Sequence, residues 1–312
     1  MKAVAVENLV QSAWKQALSL GDAFPGQLEP ARALGLFHLL SLDAPTVAVV
    51  WSLAFAWAAR ARLPEWLPVL VALVTWTVYV ADRLLDARSA MRRGEPGRLR
   101  QRHLFHWRHR RAFVPFAAAA AGVAAWLALR FLPLAAWRRD SLLALAALLY
   151  LAAVHLGRRL PPSLAAPLSA RFPVKELCVA LLFTAGCVLA GWSRVHAPPG
   201  ILSFPVGCPA AYFAALGCLN CRAIENWESS MALAPLAPHA LLLAGAGLPL
   251  ATFLLSVQPR AAALILAGAA SALLLALLDN RRGRLTPLTL RVAADLVLLV
   301  PVLLLPLGGW TQ

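Results

Sequence analysis

The chain has 312 residues, of which 61% are hydrophobic and only 14% are charged, and its formal net charge is +15. A soluble domain of this length would carry more charge and fewer apolar residues, so the composition excludes an ordinary water-soluble protein. Such a positive charge would indicate nucleic-acid binding in a soluble chain. Here the basic residues stand in short loops between apolar runs, where the positive-inside rule accounts for them, and no nucleic-acid partner is expected.

The first 38 residues predict an amphipathic helix that lies in the membrane interface. Their apolar residues recur at helical spacing, at Val6, Leu9, Val10, Ala13, Trp14, Ala17 and Leu18. A lead-in helix packed on the bundle accounts for the pattern equally well. We therefore divide the chain into an N-terminal interfacial segment, 1–38, and a transmembrane domain, 39–312.

Nine apolar runs follow, each about as long as the 17 to 25 residues that cross the hydrocarbon core of a bilayer. Backbone polar groups in that solvent must be paired within their own element, so these runs predict helices. The fold class is therefore all-α, a polytopic membrane protein of about nine transmembrane helices. The predicted spans are 39–59, 67–86, 112–129, 141–157, 177–193, 203–224, 239–257, 261–279 and 292–309.

The loop charges predict the orientation of these spans. Of the 29 Lys and Arg residues, 20 fall on the side of the N-terminus, 7 on the other side, and Arg83 and Arg222 lie within span ends. Cytoplasmic loops carry the excess of basic residues. The sequence thus predicts an integral protein of the cell inner membrane with a cytoplasmic N-terminus.

Two carboxylates stand near the cytoplasmic end of the second span. Asp82 and Asp86 are four residues apart, so they share one helix face, with Cβ atoms roughly 6 Å apart. Carboxylates within a span are costly, and two on one face repel each other, so a shared divalent cation is one reason for the pair. Headgroup water at the span end, with Arg83 and Arg88 as partners, is the alternative.

A second polar cluster ends the sixth span, at Asn220, Arg222, Glu225 and Glu228. The predicted topology places this end in the cytoplasm as well. Two acidic helix ends would then face one compartment, an arrangement that suits a metal-bridged diphosphate, because Mg²⁺ usually takes one or two carboxylates plus phosphate oxygens.

The residues from Asp82 to Ala87 resemble the first aspartate-rich motif of the UbiA superfamily of intramembrane prenyltransferases, Asn-Asp-x-x-Asp-Arg-x-x-Asp-Ala. Positions 82, 83, 86 and 87 match, whereas Val78 and Tyr79 stand at the opening Asn and the first Asp. The stretch from Asn220 to Glu228 falls where the second motif is expected, with Glu in place of Asp. The segment at 171–176 is similar to the basic loop segment of the family.

The resemblance implies a UbiA-like bundle that transfers an isoprenyl group from an isoprenyl diphosphate to a lipid-soluble or aromatic acceptor within the membrane. Mg²⁺ would be the cofactor, held by Asp82, Asp86, Asn220, Glu225 and Glu228. The diphosphate would be bound by Arg83, Arg88, Lys175 and Arg222, and the catalytic residues would be Asp82, Asp86 and Lys175. The departures from the motifs leave three readings open: weakened Mg²⁺ binding, a divergent subgroup with another substrate, or an inactive member. A terpene cyclase of the same fold and a non-catalytic or transport protein also stay open.

Three further features are interpreted as structural. The arginine-rich loop 87–111, with its three histidines at 103, 106 and 109, is interpreted as a solvated loop near lipid headgroups. His155 in the fourth span predicts an interhelical hydrogen bond or an interface anchor. The cluster Asp279, Arg291 and Asp295 predicts an ion pair between the last two spans.

Overall fold

The computed structural model describes residues 29–95, 99–157, 174–192, 199–228 and 235–307, and over these residues the chain is helical, with no β-strand. Eleven α-helices are described, and the last continues as a 3₁₀ helix, Val297–Leu307. They are α1 (Glu29–Leu39), α2 (Asp43–Ala58), α3 (Trp66–Arg92), α4 (Gln101–Arg108), α5 (Arg110–Phe131), α6 (Leu134–Gly157), α7 (Val174–Trp192), α8 (Pro199–Glu228), α9 (Ala237–Leu255), α10 (Pro259–Asn280) and α11 (Pro287–Leu296).

Within the described ranges, five helices are long and apolar enough to cross a membrane, or six if the bent pair α1–α2 forms one span. The five are α3, α5, α9, α10 and Pro287–Leu304. This finding is consistent with the predicted integral membrane protein of all-α class. Each of the nine predicted spans overlaps a described helix. However, α6, α7 and α8 are not among those five, and α6 carries Arg138, Arg139 and Asp140 in its second turn. The count of nine stays a prediction.

The first predicted span is not one straight helix. It was expected over 39–59, but α2 begins only at Asp43, after a bend of 86° from α1. Ser41 has a φ of 61°, a left-handed conformation that ends α1. The bend is stabilised because the His38 Nδ1 atom lies 2.6 Å from an Asp43 carboxylate oxygen. A hydrogen bond between two side chains five residues apart leaves no mark on the hydropathy pattern, so the sequence does not reveal the bend.

Residues 1–28 lie outside the described residues, so the interfacial helix predicted for 1–38 is seen only in its last part. That part belongs to α1, whose final turns bury Gly35, His38 and Leu39. The boundary between the segment and the transmembrane domain stays a prediction.

An aromatic stack joins the middle of α2 to α8. The rings of Trp51 and Phe213 are stacked with centroids 3.8 Å apart, and both side chains are buried. The Trp51 indole N–H donates to the Leu298 carbonyl oxygen at 2.8 Å, which satisfies its one polar atom. These contacts pack α2 against α8 and against the C-terminal 3₁₀ helix.

Asp279 at the end of α10 caps the start of α9. Its Oδ2 atom accepts the backbone N–H groups of Leu236 and Ala237 at 2.7 and 2.8 Å, and its Oδ1 atom accepts the Trp227 indole N–H at 2.9 Å. The first N–H groups of a helix lack internal partners, and a buried carboxylate satisfies them. Asp279 is thus not part of the predicted ion pair between the last spans: Arg291 pairs with Asp295 within α11, at 3.4 Å.

Candidate functional site

The end of α3 directs neighbouring side chains into two different clusters. Asp82 and Asp86 share one face because they are one turn apart, whereas Arg83 is rotated by about 100° around the helix. The Asp82 and Asp86 side chains are 43% and 18% exposed, and Arg83 is buried. The acidic pair therefore forms a partly open face, and the arginine enters the bundle.

Two histidines from other elements contact the acidic face. The Nε2 atom of His155, on α6, lies 3.1 Å from an Asp82 oxygen, and its Nδ1 atom lies 3.6 Å from an Asp86 oxygen. The Nε2 atom of His103, on α4, lies 3.9 Å from the other Asp86 oxygen. The acidic face is thus enclosed by two imidazoles, each on a different helix.

Among the predicted diphosphate contacts, Lys175 is the one whose charge acts on Asp82. It is exposed in the first turn of α7. Arg88, half a turn beyond Asp86, is exposed as well, as is Arg222 on α8. The charge of Lys175 therefore acts on Asp82, while Arg88 and Arg222 leave two guanidinium groups at the surface.

The second predicted metal-binding group is dispersed. Glu228 is bound by two arginines at the start of α4: Arg102 donates to it at 2.5 and 3.2 Å, and Arg100, the residue before the helix, pairs with it as well. Glu225 is exposed. Asn220 is buried and directs its amide nitrogen to Asp295, at 3.5 Å. Their roles as ligands stay predictions, and the contacts of Glu228 and Asn220 differ from those that the resemblance implies.

Arg83 belongs to a buried network at the bend between α1 and α2. It donates to the Ser41 hydroxyl at 2.5 Å and to the His38 carbonyl at 3.2 Å, and it lies 4.0 Å from Asp43. Ser41 in turn lies 3.0 Å from His106 Nε2. Since His106 Nδ1 donates to the Arg102 carbonyl, its Nε2 atom accepts from Ser41. The Ser41 hydroxyl therefore accepts from Arg83 and donates to His106.

Within the described residues, His38, Asp43 and Asp295 offer ligand atoms that lie within 4.8 Å of one another. This spacing suits a metal ion, but two guanidinium groups already balance the two carboxylates: Arg83 beside Asp43 and Arg291 beside Asp295. A divalent cation would be repelled by both. The electrostatics therefore favour a structural ion network here.

The histidines of α4 are neutral at physiological pH. Burial, with the charges of Arg102 and Arg83, lowers the pKa of His103 to about 3. Burial, with the charge of Arg83, lowers the pKa of His106 to about 4. They cannot act as cationic phosphate partners, but a neutral imidazole is an acceptor and a metal ligand. The segment 101–108 is thus a docked helix and not the solvated loop that the sequence predicted.

A cavity of about 520 Å³ lies between α7 and α8, with Arg139 of α6 at its rim. Its lining includes Thr184, Val188, Ala210 and Ala214. These residues belong to the second half of α7 and the first half of α8, whereas Lys175 is at the opposite end of α7. This cavity is therefore in the other half of the bundle from the acidic face.

Comparison of the chain with family models, with curated proteins and with solved structures finds no match. The assignment of this site therefore depends on its own chemistry.

The acidic face fits Mg²⁺ through its carboxylates. Two carboxylates on one face, of which Asp82 is 43% exposed, match the one or two that Mg²⁺ takes beside phosphate oxygens and water. Mg²⁺ would not need the imidazoles of His155 and His103 as ligands, because it prefers oxygen ligands and imidazole suits transition metals better.

Sequence reasoning gave His155 and His103 no part in the site. The signal for His155 is a lone imidazole in an Ala/Leu-rich span, which predicts an interhelical hydrogen bond or an interface anchor without naming a partner. The structure shows an interhelical hydrogen bond, with Asp82 as the partner. His103 had no such signal, because its position depends on how α4 docks.

Proposed function

We propose that the protein is a UbiA-like prenyltransferase of the inner membrane, with nine spans and a cytoplasmic N-terminus. It transfers an isoprenyl group from its diphosphate to a lipid-soluble or aromatic acceptor. The observation that supports this proposal is the acidic pair Asp82 and Asp86, partly open on one face of α3, with the charge of Lys175 acting on Asp82.

In this proposal the site residues have separate roles. Asp82 and Asp86 would hold Mg²⁺, which neutralises the charge that gathers on the leaving diphosphate. Lys175 is an exposed cation whose charge acts on Asp82, and in this proposal it binds a diphosphate oxygen. Arg88 and Arg222, both exposed, bind the diphosphate from the cytoplasm. The apolar walls of the spans keep water away from the allylic cation.

The test is binding of a labelled isoprenyl diphosphate to the purified protein in detergent, with and without Mg²⁺. Binding is expected to require Mg²⁺ and to weaken roughly 100-fold or more in Asp82→Asn and Asp86→Asn, because each loses a ligand charge. Asp140→Asn is the matched control, since Asp140 is paired with Arg139 at the start of α6.

Absence of binding at every chain length would overturn the proposal in favour of a non-catalytic or transport protein. Equal binding by the Asp variants and the wild type would remove the metal assignment. Where binding holds, product analysis without an added acceptor distinguishes prenyl transfer from terpene cyclisation.

A further inference from the structure

The cavity between α7 and α8 begins beside a close contact of the two helices. A Cβ atom added to Gly217 of α8 would lie 3.5 Å from the Ala180 Cβ atom of α7, so the helices touch there. Further from this contact, the lining residues on α8 are all alanines: Ala210, Ala211 and Ala214. Alanine side chains end at Cβ and do not fill the space beside α7, which leaves the cavity of about 520 Å³.

The cavity opens on the outer surface of the bundle. Two of its lining residues, Leu181 and Ala211, are exposed, the first by 51%, whereas Thr184 and Ala214 are buried. Both helices overlap predicted spans, so an exposed apolar surface on them faces lipid chains. The cavity is therefore a recess in the lipid-facing surface, with a buried floor.

The lining of this recess suits a hydrocarbon chain and not water. Seven of its nine residues are alanine, valine or leucine. A buried water needs about two to four polar partners, which such a surface does not offer. An empty recess would deprive its walls of packing contacts. The chains of membrane lipids are the apolar groups that a bilayer supplies at this depth, so a lipid chain is the expected occupant.

A guanidinium group stands at the rim of the recess. The Nε atom of Arg139 donates to an Asp140 carboxylate oxygen at 2.9 Å, and its Nη2 atom donates to the Leu189 carbonyl at 3.1 Å. These two bonds fix the orientation of the group. Among the described residues the Nη1 atom has no partner, so its N–H groups are free to bind an anionic acceptor.

The charge of this end of α6 favours an anionic lipid. The segment 130–140 has three arginines and one aspartate, a net charge of +2, and Arg138 is exposed. The predicted topology places it on the non-cytoplasmic side, where the positive-inside rule does not account for such an excess. Basic groups at a membrane surface attract anionic lipids. We propose that the recess binds an acyl chain of an anionic phospholipid such as phosphatidylglycerol, with its phosphate on Arg139.

This lipid site goes beyond the proposed prenyl transfer and does not depend on it. The recess is in the other half of the bundle from the acidic face, and Lys175 is at the opposite end of α7. Lipid binding is therefore expected to need neither Mg²⁺ nor an isoprenyl diphosphate, and to be unchanged in Asp82→Asn. Failure of either proposal leaves the other standing.

The test uses the purified full chain, delipidated in detergent and then given phosphatidylglycerol or phosphatidylcholine that carries a photoactivatable group at the end of one acyl chain. Mass spectrometry of the digested protein locates the cross-links. Phosphatidylglycerol is expected to label residues 181–189 of α7 and 210–214 of α8. Phosphatidylcholine is expected to label them about fivefold less, because it has no net charge to attract the basic rim.

Two alanines one turn apart on α8 provide a variant and its matched control. Both are exposed, but only Ala211 lines the recess, whereas Ala215 does not. Ala211→Leu is expected to reduce the labelling at least about fivefold by filling the recess, and Ala215→Leu to leave it unchanged. Arg139→Gln is expected to reduce labelling by phosphatidylglycerol about fivefold, while Arg130→Gln, outside the lining, has no effect.

Four results would overturn the proposal. They are equal labelling by the two lipids, cross-links spread evenly over other lipid-facing helices such as α5 and α9, labelling that Ala211→Leu does not reduce, and labelling that an isoprenyl diphosphate abolishes. The last result would assign the recess to the chain of the prenyl substrate. If Ala211→Leu does not fold, the positions of the cross-links in the wild type decide.

Discussion

Asp82 and Arg83 are neighbours in sequence with opposite surroundings. Asp82 is partly open, whereas Arg83 is 3% exposed and donates to Ser41 and to the His38 carbonyl. A buried guanidinium is tolerated only if it is paired and hydrogen-bonded. The contacts of Arg83 therefore indicate that it stabilises the bend between α1 and α2, while the resemblance predicts a diphosphate contact.

Arg83→Met separates these roles. It leaves Asp43 without its guanidinium partner in a buried place, so we expect the free energy of unfolding to fall by about 3–5 kcal/mol. Thermal unfolding in detergent, followed by circular dichroism, measures the change. Arg88→Met is the control, because Arg88 is exposed and surface substitutions usually stay within about 0.5 kcal/mol. Unchanged stability of Arg83→Met combined with lost diphosphate binding would establish the phosphate role.

Among the elements, the α9–α10 pair depends on close helix approach. A Cβ atom at Gly247 would lie 2.8 Å from the Ala269 Cβ atom and 2.8 Å from the Tyr212 hydroxyl oxygen. That hydroxyl donates to the Leu243 carbonyl at 2.7 Å, so the tyrosine is held in place. Small residues permit this approach, which drives helix association in a membrane where the hydrophobic effect does not.

Two glycines of α9 test this contact. Gly247→Ala is expected to destabilise the protein by about 1–3 kcal/mol through overpacking. Gly245→Ala is expected to be neutral or to stabilise by up to about 1 kcal/mol, because nothing lies within 4 Å of its Cβ position and alanine is the better helix former. Thermal unfolding in one detergent compares the two. Equal effects would show that helix propensity, not packing, decides at both positions.

The short helix α4 shows a limit of sequence reading at the element scale. Its eight residues, with His106 buried and Arg102 on Glu228, were predicted as part of a solvated loop. An isolated helix of this length is unstable in water, so it forms only where tertiary contacts stabilise it. Those contacts come from three helices, α1, α3 and α8, that are distant from one another in sequence.

For the whole molecule, the loop charges predict the orientation. The excess of 20 basic residues against 7 predicts that the N-terminus and the acidic face are cytoplasmic. The arginine-rich segment joins α3 to α5, and a short turn joins α9 to α10. The predicted topology puts these two connections on opposite sides of the membrane, and this stays a prediction.

Single cysteines test the orientation, in a background whose five native cysteines are replaced by alanine. Gln101→Cys on α4 and Ser256→Cys after α9 are both exposed, and neither change alters the loop charge. A membrane-impermeant maleimide applied to intact cells is expected to label Ser256→Cys alone, and both after permeabilisation. Labelling of Gln101→Cys in intact cells would reverse the topology.

The sequence by itself determined the all-α fold class and the approximate positions of the long apolar helices. Each of the nine predicted spans overlaps a described helix, because hydrophobic length and helix formation in lipid are local properties of a run. It also placed Asp82 and Asp86 on one face, since that follows from helical spacing alone.

Only the tertiary structure decided which groups meet. The decisive contacts join residues from separate helices. They include the bend of 86° before α2 and the turn of Arg83 into the bundle. They also include the pairing of Glu228 with Arg100 and Arg102, and the approach of His155 and His103 to the acidic face. Such contacts depend on how helices pack and rotate, which the hydropathy of each run does not specify.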